Sequence, residues 1–136
     1  MILTEGKTLP EVLNEVFDKL VEQGGRCADA KGACVYGTLT KHCAIGWLLP
    51  EDNLELMEFN GSISRLNMLP ELGPNTEFLH LNEQVLKEVQ QAHDVSHPTA
   101  LLIAAETLKS ALGPIPNLDE WCTLRIQQMK ESNNAI

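Results

Sequence analysis

The chain has 136 residues, with 10 Lys and Arg against 19 Asp and Glu for a net charge of −9. That is one domain's worth of polypeptide, long enough to bury a core without disulfide staples. The acidity argues against nucleic acid or an anionic membrane as partner, since both are gripped by clustered basic residues. A hydrophobic content of 43% with 21% charge excludes a disordered chain. There is no run of about eighteen apolar residues to cross a bilayer.

In chain order, Thr8-Leu-Pro-Glu11 opens a first helix, with Thr8 as N-cap and Glu11 as its capping-box partner. Val12, Leu13, Val16, Phe17, Leu20 and Val21 form its apolar stripe, and Gly24-Gly25 stops it. Arg26 to Gly32 lacks periodicity and reads as a loop. Ala33 to Tyr36 and Leu39 to Ala44 are predicted as two short strands around Gly37-Thr38. The second run alternatively turns helical from about Cys43, because Ala-Ile-Gly-Trp-Leu-Leu is apolar throughout and shows no period. Pro50 ends it.

Glu51 to Phe59 is acidic and suggests a helical turn. Ser62 to Met68 suggests another short helix, and Leu69 to Asn75 is the most loop-like stretch. Asn82 is expected to cap a helix whose Leu86, Val89 and His93 share one face. Pro98 suits the first turn of the next helix, whose inward stripe is Leu101, Ala105, Leu108 and Leu112, and Gly113-Pro114 closes it. Asn117-Leu-Asp-Glu120 reads as a capping box for a last helix lined by Leu118, Cys122, Ile126 and Met129, with Trp121 alongside. The expectation is one α+β domain over 1–136, mostly helical. A short β-hairpin from Cys34 to Ala44 packs on the helices, and a polar tail over 131–136 frays.

Four cysteines, at 27, 34, 43 and 122, and a start without a basic-then-apolar leader predict a cytoplasmic chain with reduced thiols. Cys34, Cys43 and His93 are the first candidates for a metal site, with His42 and Cys27 in reserve. The spacings lack the short Cys-x₂₋₄-Cys knuckle, so small buried thiols and no cofactor are the favoured expectation. For catalysis, Cys43 just ahead of a helix would be the nucleophile, with His93 as base and Asp94 as orienting group. Against this, neighbouring helical side chains diverge by roughly 100°, and His93 at a helix end has a structural alternative as a carbonyl cap. Glu51, Asp52, Glu55 and Glu58 form an acidic cluster suited to a basic protein surface, although a solvated helix face is the commoner meaning of such a cluster.

Cys34-Val-Tyr36, Cys43-Ala-Ile-Gly46-Trp-Leu-Leu-Pro50, Asn60-Gly61 and Gln90-Gln-Ala-His93-Asp94 together resemble a pattern in small uncharacterised proteins encoded by bacteriophages and bacterial genomes. The chain departs from it at Gly37, where a basic residue is more usual, and at Trp47, where a small one is. The resemblance implies a genomic setting rather than a mechanism. Together with the negative charge and the lack of a complete catalytic signature, it makes a small, acidic, non-enzymatic binding protein the leading expectation: phage-encoded, acting in the host cytoplasm, and modulating or inhibiting a host protein such as a defence component. The alternatives are a Cys/His- or zinc-dependent hydrolase, and a pocket protein that sequesters a small nucleotide or metabolite.

Overall fold

A computed structural model describes residues 1–24, 43–50, 53, 56, 63–69, 72–94 and 97–134. Helix α1 spans Leu9–Glu22. A 3₁₀ turn comes next at Gly46–Leu48. Then come α2 (Ile63–Leu66), α3 (Thr76–Leu81), α4 (Glu83–Asp94), α5 (Pro98–Leu112) and α6 (Pro116–Asn134). The first long helix packs against the last, α6 packs on α5, α5 on α4, and α4 on α2 and α3.

The α+β expectation is corrected. The described residues contain helix and turn and no strand. Most of the expected hairpin, Cys34 to His42, lies outside them. Its described end, Cys43-Ala44, is not strand: Cys43 has no regular structure and Ala44 enters the turn that leads into the 3₁₀ segment. The reason is local. Ile45 is already in the right-handed helical region, at φ −78° and ψ −30°, and the Leu48 and Leu49 amides donate three residues back to Ile45 and Gly46 at 2.9 and 3.2 Å. A wholly apolar run, buried except at half-buried Trp47, has no alternation to hold it extended.

Elsewhere, local chemistry accounts for the helix ends. Thr8 Oγ1 accepts the Glu11 amide at 3.4 Å and donates to the Glu11 carboxylate at 2.9 Å. The capping partners are therefore those expected, but the carboxylate bonds the hydroxyl. At the other end of α1, Gly24 adopts φ +85°. Pro98 starts α5, and Gly113 at φ +91° closes it, its amide on the Lys109 carbonyl at 2.8 Å.

Two starts differ from expectation. Asn82 does not cap α4 with its side chain, which donates to the Phe78 carbonyl at 2.9 Å and closes α3 instead. Asn117 is already inside α6, where its backbone amide donates to Asn14 Oδ1 at 2.9 Å and its Nδ2 to the Asn14 carbonyl at 3.0 Å. This reciprocal clamp fixes the start of α6 on α1. At its far end Gln128 Nε2 reaches the Gly24 carbonyl at 2.7 Å. Helix α6 runs on to Asn134, into the polar segment expected to fray. Its buried face is Leu118, Trp121, Cys122, Arg125 and Met129, centred one position away from the expected stripe, with Ile126 only half-buried.

The core joins all these elements. Phe17 and Leu20 of α1, Ile45 and Leu48 of the 3₁₀ turn, Leu66, Leu79, Leu86, Leu101 and Trp121 are fully enclosed in one apolar cluster.

Candidate functional site

His93 lies on the apolar face of α4 with Leu86, Val89 and Ala92, and its ring has no solvent exposure. Nδ1 stands 2.8 Å from Asp94 Oδ1. A carboxylate can only accept, so Nδ1 carries the proton. Adjacent helical positions diverge, yet this pair meets. Gln90, one turn earlier, reaches both Asp94 oxygens with Nε2 at 3.3 and 3.4 Å and helps hold the carboxylate against the ring. The expected orienting role of Asp94 is therefore geometrically feasible, contrary to the divergence argument.

On its flat side the imidazole stacks on Trp121, with centroids 6.1 Å apart and planes 9° from parallel. Trp121 in turn meets Phe17 at 5.3 Å and 46°. In a chain that is only 4% aromatic, these three rings form a column linking α4, α6 and α1, with spacings typical of favourable ring pairs. His93 does not cap the end of α4; its ring turns inward. Nε2, the nitrogen a general base would use, is buried and has no hydrogen-bond partner among the described residues, and neither has Trp121 Nε1. A base must come within hydrogen-bonding distance of the proton it takes, and this nitrogen presents no face to solvent.

Cys43 is 1% exposed, and Cys122 is a buried thiol. The helical segment just beyond Cys43 is a three-residue 3₁₀ turn, far too short to supply the helix-terminal field expected to stabilise a thiolate. No hydrogen bond joins Cys43 to His93 among the described residues. No three His, Cys, Asp or Glu side chains among these residues stand close enough to share a metal ion. Cys27, Cys34, His42, Glu51, Asp52, Glu55 and Glu58 lie outside the described residues, so the proposed metal trio and the acidic cluster are not placed. No described helix is long and apolar enough to cross a membrane.

Two features escaped the sequence reading. The first is Asn75, buried in the segment that reads as loop. Its Oδ1 accepts the backbone amide and hydroxyl of Thr4, both at 3.0 Å, and its Nδ2 donates to the carbonyls of Ile2 at 2.7 Å and Leu48 at 3.0 Å. All four of its hydrogen-bonding positions are used to tie the N-terminal segment, the 3₁₀ turn and the start of α3 together. Gly73 beside it has φ +88°, and a Cβ there would sit 2.5 Å from Pro50 Cγ. Asparagine in a Gly-Pro-Asn turn signals local chemistry; nothing in the pattern points to partners some 70 residues away.

The second is a groove of about 530 Å³ between α5 and α6. Ala105 and Cys122 lie at its base, and Leu102 and Ile103 on its edge are 54% and 63% exposed. Cys122's thiol is pushed up to about 11, mainly by burial and secondarily by Asp119. This groove was legible in principle, because a stripe of Leu101, Ala105 and Leu108 turns Leu102 and Ile103 away from the core.

No protein-family model, curated protein or solved structure matches the chain.

Proposed function

We propose that the chain is a small acidic binding protein that acts by docking on a basic protein, in a genomic setting suggested by its resemblance to small uncharacterised phage and bacterial proteins. The observation that carries this reading is the enclosure of the candidate catalytic pair. Cys43 and His93 are both core residues, and His93 is built into an aromatic column that spans three helices. A net charge of −9 favours a partner of opposite sign by speeding encounter and penalising acidic competitors. Glu51, Asp52, Glu55 and Glu58 are the first acidic residues to test as contacts.

The test begins with capture of host proteins on the immobilised full chain, followed by reconstitution with the purified captured protein. The reading expects one-to-one binding that weakens as salt is raised and on reversing these four charges to Lys. It also expects binding to persist in the folded fraction of Cys43→Ser and His93→Ala. Binding indifferent to salt and to charge reversal would overturn it, as would turnover of the partner that disappears in both core variants.

A further inference from the structure

The groove between α5 and α6 offers apolar and acidic chemistry side by side. Its walls and edge carry Leu102, Ile103 and Ile126, and at the end nearest the α5–α6 turn stand Glu106, Lys109 and Asp119. Lys109 Nζ is 2.8 Å from Asp119 and 3.6 Å from Glu106. Its ammonium is held above its ordinary range, chiefly by the Asp119 hydrogen bond. Among the described residues lining the groove, one cation thus serves two carboxylates, which leaves that end a surplus negative charge. Both carboxylates are well exposed, at 74% for Glu106 and 59% for Asp119.

From this combination we infer that the α5–α6 groove is a docking site for an amphipathic helix bearing Lys or Arg beside its apolar face, supplied by the partner protein. The inference rests on the binding reading above and gives it a surface. Two adjacent antiparallel helices leave between them the furrow into which a third packs, ridge into groove, at about 8–10 Å between axes. Apolar residues at helical spacing on the incoming helix cover Leu102, Ile103 and Ile126, and a flanking cation meets Glu106 and Asp119. Charge decides the occupant. A second copy would bring another net charge of −9 and the same acidic end against this one, whereas a basic helix finds opposite charge at the rim. A small metabolite is a poorer fit, because tight small-molecule sites enclose most of the ligand surface, and here the apolar edge stands more than half in solvent.

The experiment uses the full chain and three fluorescein-labelled helical peptides of equal length: basic amphipathic, acidic amphipathic, and basic with the same composition scrambled to destroy the apolar stripe. Fluorescence anisotropy is read at low and physiological salt. The basic amphipathic peptide should bind most tightly. Ile103→Ser and Glu106→Lys should each weaken it about tenfold, the first by removing an apolar contact and the second by setting like charge against the incoming cation. Asp18→Lys, the same charge change on an exposed position of α1, should have a much smaller effect. All these sites are on the surface, and unchanged melting curves confirm that the variants are folded.

Equal affinity for the basic amphipathic and scrambled peptides overturns the inference, as does binding indifferent to Ile103→Ser. Sedimentation showing a dimer that Ile103→Ser dissolves also overturns it, by making a second copy the occupant. If the reconstituted partner binds Ile103→Ser and Glu106→Lys as tightly as wild type yet loses affinity for the 51–58 charge reversal, the groove is refuted and the binding reading stands. Catalytic turnover lost in Cys43→Ser and His93→Ala would refute that reading instead.

Discussion

Replacing Asn75 is a severe test of the buried polar contacts. Asn75→Ala removes four hydrogen bonds of 2.7–3.0 Å. It strips the Thr4 amide and the Ile2 and Leu48 carbonyls of their side-chain partner inside the protein. A typical bond contributes about 1 kcal/mol net, and each stranded buried group costs about 1–3 kcal/mol. The losses overlap because the new space admits some water, so the total should be on the order of 3–5 kcal/mol. For a domain this size that lowers Tm by roughly 10–20 °C. Asn75→Asp keeps the shape but turns an oxygen toward two carbonyls. Its carboxyl should have a folded-state pKa raised above the ordinary carboxylate range, because the protonated form alone can donate. The stability of Asn75→Asp relative to Asn75→Ala should therefore be highest at acid pH and fall as pH rises through that value. Urea denaturation of both variants at matched pH from about 4 to 7 reads this directly. A loss below about 1 kcal/mol for Asn75→Ala, or an Asp variant that gains on Ala as pH rises, would refute the reasoning.

Gly73→Ala should cost about 2–4 kcal/mol in chemical denaturation, because a side chain at φ +88° is strained and its Cβ collides with Pro50. His93→Ala should cost roughly 1–3 kcal/mol by emptying the space against Trp121 and removing the hydrogen bond to Asp94, and it should change near-UV circular dichroism from the Trp121 indole. The raised Cys122 thiol makes alkaline stability a further test. Since its folded value of about 11 lies above the ordinary thiol value of 9.0, its contribution is intact below about pH 9 and lost as pH climbs toward 11. Cys122→Ala should accordingly flatten part of the decline seen in thermal melts of wild type over that interval.

Helix positions were legible wherever an apolar stripe met a capping signal. Thr8, Pro98 and Gly113 mark ends that the folded chain uses, and Leu86, Val89 and His93 share the face that periodicity assigns them. Residues 44–49 were not legible in the same way. A short run that is apolar throughout carries no period, so Cys43-Ala44 reads equally as the end of the Leu39 to Ala44 strand or as the start of a helix, and only the folded chain shows the Ile45 and Gly46 carbonyls closing i to i+3 bonds. Asn117 resembled an N-cap because only the fold reveals Asn14 as its competitor. The same holds for Asn75. An asparagine in a turn commonly bonds its own backbone two residues on, and its use as a hub for Ile2, Thr4 and Leu48 is a property of tertiary contact alone. For the candidate pair, His93's burial was readable from its register. Asp94's contact with it was not, since the approach depends on how Gln90 and the end of α4 place the carboxylate.

The claim that Cys43 and His93 are core residues rather than accessible reactive groups is tested most directly by residue-resolved covalent labelling of the native protein. Iodoacetamide reads Cys43 and diethyl pyrocarbonate reads His93, each quantified by peptide mass spectrometry as urea is raised. Both sites should stay protected in buffer and become labelled together across the global unfolding transition, because an enclosed group reacts only when the chain opens. Rapid labelling of Cys43 under native conditions, slowed by His93→Ala while the protein remains folded, would contradict the account and restore the nucleophile and base.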